Sequence, residues 1–186
     1  MIRLTTAADA AAIAAIYAPY VEASEISFET IAPSAAEMAD RIKKTAETFP
    51  WLVEDDGGVA GYAYASRHRD RAAYRWSVDV AAYVAPHAKR RGVGRRLYAA
   101  LFELLLRQGF VNAYAGITLP NVASVGLHEA MGFSRIGTYT NVGYKQGAWR
   151  TVGWWEKRLL PDPPHEPADP VPLPQLLAAE PSLLPR

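Results

Sequence analysis

Apolar side chains recur along this chain with two periods, one typical of helices and one typical of strands. From residue 9 to 22 they return at helical spacing, and Thr6 and Asp9 stand three apart, as in a capping box that starts a helix. Ser34 is placed to cap a second helix over 35–48. Shorter apolar runs predict strands at 2–5, 51–55, 59–66, 76–85, 111–118, 133–144 and 150–159.

Two further helices complete the pattern. One starts near Val93, runs to about Arg107 and is ended by Gly109, and the other runs from 121 through Met131. The resulting order of elements is β-α-α-β-β-β-α-β-α-β-β. This order predicts an α/β (α+β) fold in which helices cover both faces of one mixed central sheet.

The segment 161–186 differs in composition from the rest of the chain. Nine of the 14 prolines lie in it. Because proline lacks a backbone N–H and fixes φ, we expect this segment to be extended or disordered, apart from a short helical turn that the sequence LLAAE allows at 176–180. The prediction is one folded domain over 1–160, followed by a disordered proline-rich tail.

The composition excludes several classes of protein. The formal net charge of +1 argues against a general nucleic-acid binder. The absence of cysteine excludes disulfides, thiolate zinc sites and a cysteine acyl-enzyme, and the four histidines lack metal-ligand spacing, so no metal is expected. No apolar run is long enough for a membrane helix, and the N-terminus lacks the pattern of a secretory signal. We therefore expect a cytoplasmic protein with no membrane partner.

A basic turn that contains two glycines joins the strand at 76–85 to the next helix. It reads Lys89-Arg90-Arg91-Gly92-Val93-Gly94-Arg95. Glycines let successive backbone N–H groups face one concavity, and the N-terminus of the following helix adds positive charge. The turn therefore predicts a phosphate site, with a solvated basic helix start or a nucleic-acid patch as the alternatives. It matches neither the P-loop nor the dinucleotide-binding motif.

The turn resembles the Gln/Arg-x-x-Gly-x-Gly/Ala signature of the GNAT acetyltransferases, although Lys89 stands where Gln or Arg is usual. A second GNAT-like segment, LPNVASVGLHEAMGF at 119–133, follows at the expected distance. Within that family, the stretches 16–30, 49–65, 73–84 and 142–159 resemble the phosphinothricin and methionine sulfoximine acetyltransferases. The resemblance covers residues 1 to about 160. It implies the GNAT fold, acetyl-CoA as the co-substrate and a homodimer.

The resemblance also implies roles for individual residues. Asp79 matches the family's general base, which is usually the longer Glu, so a water is expected to relay the proton. His128 matches a position proposed to protonate the leaving thiolate. Cofactor contacts are implied for Ala82, Tyr83, Val84, Lys89, Arg90, Arg91, Gly92, Val93, Gly94, Arg95, Asn121 and Ser124. Substrate contacts are implied for Phe28, Glu29, Arg75, Trp76, Tyr144 and Trp149, of which Arg75 best suits a carboxylate.

Each of these positions also has a structural interpretation. Asp79 can face outward on an exposed part of the sheet, His128 can be a structural histidine near a helix end, and the aromatic residues can belong to the core. The charged loop at 67–71 is either solvated or part of the substrate site.

The resemblance implies direct transfer of an acetyl group from acetyl-CoA to the primary amine of a small amino-acid-like substrate, of the phosphinothricin or methionine sulfoximine type. The lack of cysteine fits a ternary complex better than a thiol ping-pong route. The alternatives are a GNAT enzyme that acts on an antibiotic or a protein N-terminus, and a CoA-binding module without turnover.

Overall fold

Seven strands and five α-helices make up the part of the chain that the computed structural model describes, residues 1–181 and 183. The strands are β1 (Ile2–Leu4), β2 (Trp51–Asp55), β3 (Val59–Arg67), β4 (Ser77–Val84), β5 (Asn112–Leu119), β6 (Ser134–Lys145) and β7 (Ala148–Arg158). The helices are α1 (Ala10–Glu22), α2 (Ala35–Ala46), α3 (Val93–Gln108), α4 (Val122–Ala130) and α5 (Leu173–Ala179). Up to β7 the order is the predicted one, and α5 is added to it. None of the described helices combines the length and the apolar character needed to cross a membrane.

The strands form one sheet in the order β1-β2-β3-β4-β5-β7-β6, with β4 and β5 as the parallel pair. On one face α1 packs against β4, where Tyr17 meets Tyr83 edge-on with 5.0 Å between ring centroids. On the other face α3 lies so close to β3 that a Cβ at Gly61 would come within 2.9 Å of a methyl carbon of Val93. The predicted mixed sheet with helices on both faces is therefore confirmed.

The parallel strands β4 and β5 separate in the middle of the sheet. Within the described residues they pair over three positions, Ser77–Asp79 with Asn112–Tyr114. Beyond this point β4 stays paired with β3 as far as Val84, and β5 stays paired with β7 as far as Leu119. A gap therefore opens at Asp79, and the backbone groups of β4 that face β5 become available to another partner.

The C-terminal segment packs against the domain, so the prediction of a disordered tail is wrong for residues 168–180. Leu173 and Leu176 of α5 are 3% and 5% exposed. Gln108, the last residue of α3, donates its side-chain amide to the carbonyl oxygen of Val171 at 2.8 Å. These contacts attach the segment to the C-terminal end of α3.

The proline content of this segment did not prevent a helix because of where the prolines stand. Pro174 lies in the first turn of α5. The N–H groups of a first turn have no partner within the helix, so proline is tolerated there. The number of prolines does not show where in a helix they stand. Composition alone therefore predicted disorder.

Candidate active site

Asp79 lies where β4 and β5 separate, and its carboxylate pairs with a histidine. His68, the residue after β3, places its Nδ1 2.7 Å from Oδ1 of Asp79. The His68 ring stacks on Tyr114 with 4.3 Å between centroids. Burial raises the pKa of Asp79, and the hydrogen bond with His68 opposes this rise. The structure thus puts a carboxylate and an imidazole together beside the gap.

The pairing with His68 is a feature that the sequence interpretation missed, because the residue was assigned to a charged loop. The register of the β3–β4 hairpin contains the signal, since Ser66 stands opposite Asp79. Side chains on one strand return to the same face every second residue. His68 therefore projects on the side of the sheet where Asp79 lies.

The basic turn has the backbone conformation that a phosphate cradle needs. Gly92 adopts φ +80° directly before α3, and Arg90 adopts φ 60°. A left-handed backbone costs a residue with a Cβ about 1–2 kcal/mol, which glycine avoids. The first N–H groups of α3 lie next to this turn and have no partner within the helix. The exposed side chains of Lys89, Arg90, Arg91 and Arg95 surround the turn, while Val93 is buried beneath it.

Gly94 and Asn121 have structural roles that the sequence interpretation did not assign to them. A Cβ at Gly94 would lie 2.9 Å from Cδ2 of Leu127, so this glycine lets α3 and α4 approach each other. This packing role stands beside the cofactor contact that the resemblance implies for Gly94. Asn121 caps α4, because its Oδ1 accepts the backbone N–H of Ser124 at 3.1 Å.

The end of β4, which carries Ala82, Tyr83 and Val84, borders the gap. The ring of Tyr83 packs against Tyr17 and Tyr20, and burial raises the pKa of its hydroxyl well above the usual value. The Tyr20 hydroxyl donates to the carbonyl oxygen of Val84 at 2.9 Å. The side chain of Tyr83 is thus committed to the core and its backbone to the pairing with Tyr62 of β3. Within this stretch the N–H groups of Ala82 and Val84 and the carbonyl oxygen of Ala82 are the ones that face the gap.

His128 lies inside the protein with both ring nitrogens hydrogen bonded. It is 5% exposed. Its Nδ1 lies 2.8 Å from the carbonyl oxygen of Ser124, which can only accept, so Nδ1 carries the proton. Nε2 then accepts the hydroxyl of Tyr98 at 2.9 Å. These contacts favour the structural interpretation of His128 over its expected role as a proton donor to the leaving thiolate.

The loop after α1 is tied to the hairpin of β6 and β7. Lys145 is buried, and its Nζ donates to the carbonyl oxygens of Val21, Ser27 and Glu29 at 2.5, 2.6 and 2.9 Å. The Glu29 carboxylate accepts two hydrogen bonds from Arg41, which hold the pKa of Glu29 below its usual range. The loop is therefore fixed in position. Neither Lys145 nor Arg41, the two residues that hold it, was singled out from the sequence.

Three of the aromatic residues expected at the substrate lie on this loop and hairpin. Phe28 packs so closely over Gly143 that a Cβ there would overlap its ring. Tyr144 and Trp149 meet edge-on with 5.4 Å between centroids, and both are more than half exposed. Phe28 and Glu29 thus lie on the side of the hairpin to which Gly143 and Lys145 point, whereas Tyr144 and Trp149, which form a register pair, point to the other side.

Arg75 and Trp76 lie elsewhere, at the start of β4. Arg75 pairs with Asp169 at 2.7 Å, and the Trp76 indole N–H donates to the carbonyl oxygen of Ala168 at 2.8 Å. Both partners belong to the C-terminal segment. The expected free guanidinium for a substrate carboxylate is therefore corrected to an ion pair within the chain.

The geometry agrees with what sequence comparison finds. Residues 2–154 match the acetyltransferase (GNAT) domain family. The chain belongs to the GNAT acetyltransferase family. It is 42% identical to the phosphinothricin N-acetyltransferase of Streptomyces viridochromogenes over 172 aligned residues. The alignment covers 91% of this chain and 93% of that enzyme. The L-methionine sulfoximine/L-methionine sulfone acetyltransferase of Pseudomonas aeruginosa is 33% identical over 86% of this chain and 95% of its own length.

A solved structure shows the same fold with the co-substrate bound. The phosphinothricin acetyltransferase of Sinorhizobium meliloti, crystallised with acetyl-CoA, superposes with a TM-score of 0.85 at 33% identity over 90% of this chain and 92% of that one. The predicted GNAT fold, the acetyltransferase activity and acetyl-CoA as acetyl donor are thereby confirmed. In this GNAT acetyltransferase the gap between β4 and β5 and the turn before α3 are the features that fit an extended molecule ending in phosphates. Among the described residues, no three His, Asp or Glu side chains gather so as to hold a metal ion.

Proposed function

We propose that this enzyme transfers the acetyl group of acetyl-CoA to the primary amine of a small amino-acid-like substrate, of the phosphinothricin or methionine sulfoximine type. The observation that carries the proposal is the position of Asp79 at the point where β4 and β5 separate. A carboxylate at this point can help to remove a proton from an amine that attacks a thioester bound in the gap. The similarity to the phosphinothricin and methionine sulfoximine enzymes supports the choice of substrate class.

The acetyl donor is assigned to the gap and the basic turn. The left-handed Gly92 and the N-terminus of α3 suit a pyrophosphate, and the exposed Arg90, Arg91 and Arg95 suit phosphate charge. In the stretch Ala82–Val84, the N–H groups of Ala82 and Val84 and the carbonyl oxygen of Ala82 offer hydrogen bonds on the side facing β5. Ser124 is placed at the start of α4 for a further contact, beside Asn121.

The chemistry is a direct attack in a ternary complex. An alkyl amine is protonated near neutral pH, so it must lose a proton before its nitrogen can attack. The nitrogen then forms a bond to the acetyl carbonyl carbon, the carbon–sulfur bond breaks, and the thiolate takes up a proton. No cysteine is present to carry the acetyl group, which agrees with transfer in one complex.

The acceptor is assigned to the face of the sheet that carries α1. Phe28 and Glu29 lie on this side, where Lys145 fixes the loop that bears them, whereas Tyr144 and Trp149 point to the other side of the hairpin. Arg75 and Trp76 would join the site only after the C-terminal segment released them. We therefore assign the amine end of the substrate to Asp79 and its surroundings.

A homodimer and a cytoplasmic location are also proposed, the first from the resemblance and the second from the sequence. Apolar side chains that are about half exposed or more crowd the β6–β7 hairpin, where a second copy could cover them. They are Ile136, Tyr139, Val142, Tyr144 and Trp149.

The proposal is tested by a thiol-release assay with acetyl-CoA and a panel of amines that includes phosphinothricin, methionine sulfoximine, an aminoglycoside and a peptide N-terminus. We expect turnover with the amino-acid-like amines. Asp79→Ala should lower kcat by about a hundredfold to ten-thousandfold, the usual worth of a general base, while calorimetry shows unchanged acetyl-CoA affinity.

Asp70→Ala, in the neighbouring loop, is the matched control and should keep its activity. Turnover only with the aminoglycoside or the peptide would replace the substrate class. Binding of acetyl-CoA without turnover of any amine would replace the enzyme by a binding module.

A further inference from the structure

A histidine to which the resemblance gives no role lies beside the base of the proposed reaction. His68 is hydrogen bonded to Asp79, and its side chain is 12% exposed while that of Asp79 is 30% exposed. The imidazole is thus held inside the site and is not a solvated group of the charged loop. A role for His68 in catalysis rests on the proposed acetyl transfer. It would add His68 to Asp79 as a second residue that takes part in removing the proton from the amine.

Aromatic side chains fix the orientation of the imidazole. Tyr114 stacks on it at 4.3 Å with 21° between the planes, and Tyr74 and Trp154 stand edge-on at 6.0 and 6.5 Å. Tyr114 is also the register partner of Asp79 in the last pair before β4 and β5 separate. The ring therefore lies at the mouth of the gap. With Nδ1 turned toward Asp79, Nε2 is the nitrogen left to meet a substrate.

The other ionisable groups around the pair are poor proton acceptors near neutral pH. Arg69, whose guanidinium lies 5.8 Å from the centre of the Trp154 ring, has N–H donors and no acceptor atom. Burial raises the pKa of Tyr64 to about 12 and also raises that of Tyr114, so both stay neutral phenols. Glu156 faces Tyr114 from β7, one strand farther from Asp79. The carboxylate and the imidazole remain as the groups that can take the proton.

We propose that His68 is a catalytic residue, whose Nε2 accepts a proton from the substrate ammonium while Asp79 accepts the hydrogen bond of Nδ1–H and stabilises the imidazolium. The ammonium gives one proton to His68 and, once the carbon–nitrogen bond has formed, a second to the departing thiolate. The products are the amide, the thiol and one proton, which His68 releases to solvent. Asp79 then acts through the imidazole of His68. The imidazole spans the distance to the substrate amine that the short side chain of Asp79 does not reach.

Three variants of the full chain test this role with acetyl-CoA and methionine sulfoximine or phosphinothricin. His68→Gln keeps an amide N–H for Asp79 but cannot take up a proton. We expect kcat at pH 7 to fall by about a hundredfold or more, with unchanged acetyl-CoA affinity. The deficit should shrink as pH rises, because more of the amine is then already deprotonated. His165→Gln, at an exposed position of the C-terminal segment, is the matched control and should keep the wild-type pH profile.

Asp79→Glu is then added to His68→Gln. If the imidazole spans the distance to the amine, the longer carboxylate should restore part of the lost kcat. The inference is overturned if His68→Gln keeps the wild-type kcat and pH profile, or if its loss is equal at every pH and Asp79→Glu restores nothing. Wild-type protein that binds acetyl-CoA but turns over no amine would instead overturn the proposed function itself.

Discussion

At the scale of single residues, the carboxylates of this chain differ because their partners differ. Asp9 is buried and accepts two hydrogen bonds from Arg3, which lower its pKa to about 2 and keep it charged. Burial instead raises the pKa of Asp79, whose partner is an imidazole. A carboxylate held by a guanidinium is a weak base, whereas one paired with an imidazole can share a proton. The partner therefore separates a carboxylate that is held in its charged form from one that can exchange a proton.

His128 predicts a pH dependence of stability. Burial lowers its pKa from the ordinary 6.5, so the unfolded chain binds more protons than the folded one between the two values. The contribution to stability is present above about 6.5, the unfolded pKa, and is lost as pH falls toward the folded pKa. Wild-type Tm should therefore drop between pH 8 and pH 5.5, and His128→Gln should drop less. The measurement is thermal unfolding of both proteins across this range.

The exposed His165 supplies the control for this experiment. His165→Gln should retain the full pH dependence of the wild type, because this exposed side chain lies outside the core that buries His128. Equal pH dependence in wild type and His128→Gln would show that His128 is not the buried neutral group described here.

At the scale of elements, the sequence predicted what depends on neighbouring positions in the chain. Helical spacing and caps located α1 to α4, and Ser34 does accept the backbone N–H of Glu37. The pairing of His68 with Asp79 depends on the register of β3 and β4, which periodicity alone does not fix. The sequence therefore singled out Asp79 as a candidate on one strand, and it did not reveal that His68 is its hydrogen-bond partner.

The turn before α3 depends on the backbone conformation of one residue, Gly92. Gly92 adopts φ +80° as the residue that precedes the helix, so any side chain there is strained. Gly92→Ala should lower the free energy of unfolding by about 1–2 kcal/mol and weaken acetyl-CoA binding, since the N–H groups of the turn shift with it. Denaturant unfolding and calorimetry measure the two effects.

Gly126→Ala is the matched control for Gly92→Ala, because a Cβ at Gly126 meets nothing within 4 Å. This second variant should bind acetyl-CoA as the wild type does. If Gly92→Ala also binds normally, the phosphates lie away from this turn, and the assignment of the donor site has to change.

At the scale of the whole molecule, the C-terminal segment changes where the folded unit ends. The resemblance stops near residue 160, yet α5 packs on the domain and Asp169 pairs with Arg75. Sequence composition could not reveal these contacts, because they depend on hydrogen-bonding groups that lie at the C-terminal ends of α2 and α3. Gln108 of α3, for example, bridges the carbonyl oxygens of Thr48 and Val171 at 2.7 and 2.8 Å.

The contribution of this segment to stability can be measured without removing it. Leu176 is 5% exposed, whereas Val171 in the same segment is 38% exposed. Leu176→Ala should lower the free energy of unfolding by about 2–5 kcal/mol, as buried leucines do, and Val171→Ala should change it far less. The acetyl-transfer rate per folded molecule should stay near the wild-type value in both, because α5 lies away from Asp79. A wild-type unfolding curve for Leu176→Ala would show that the segment detaches in solution, and a specific loss of turnover would show that it supports the site through Arg75 and Trp76.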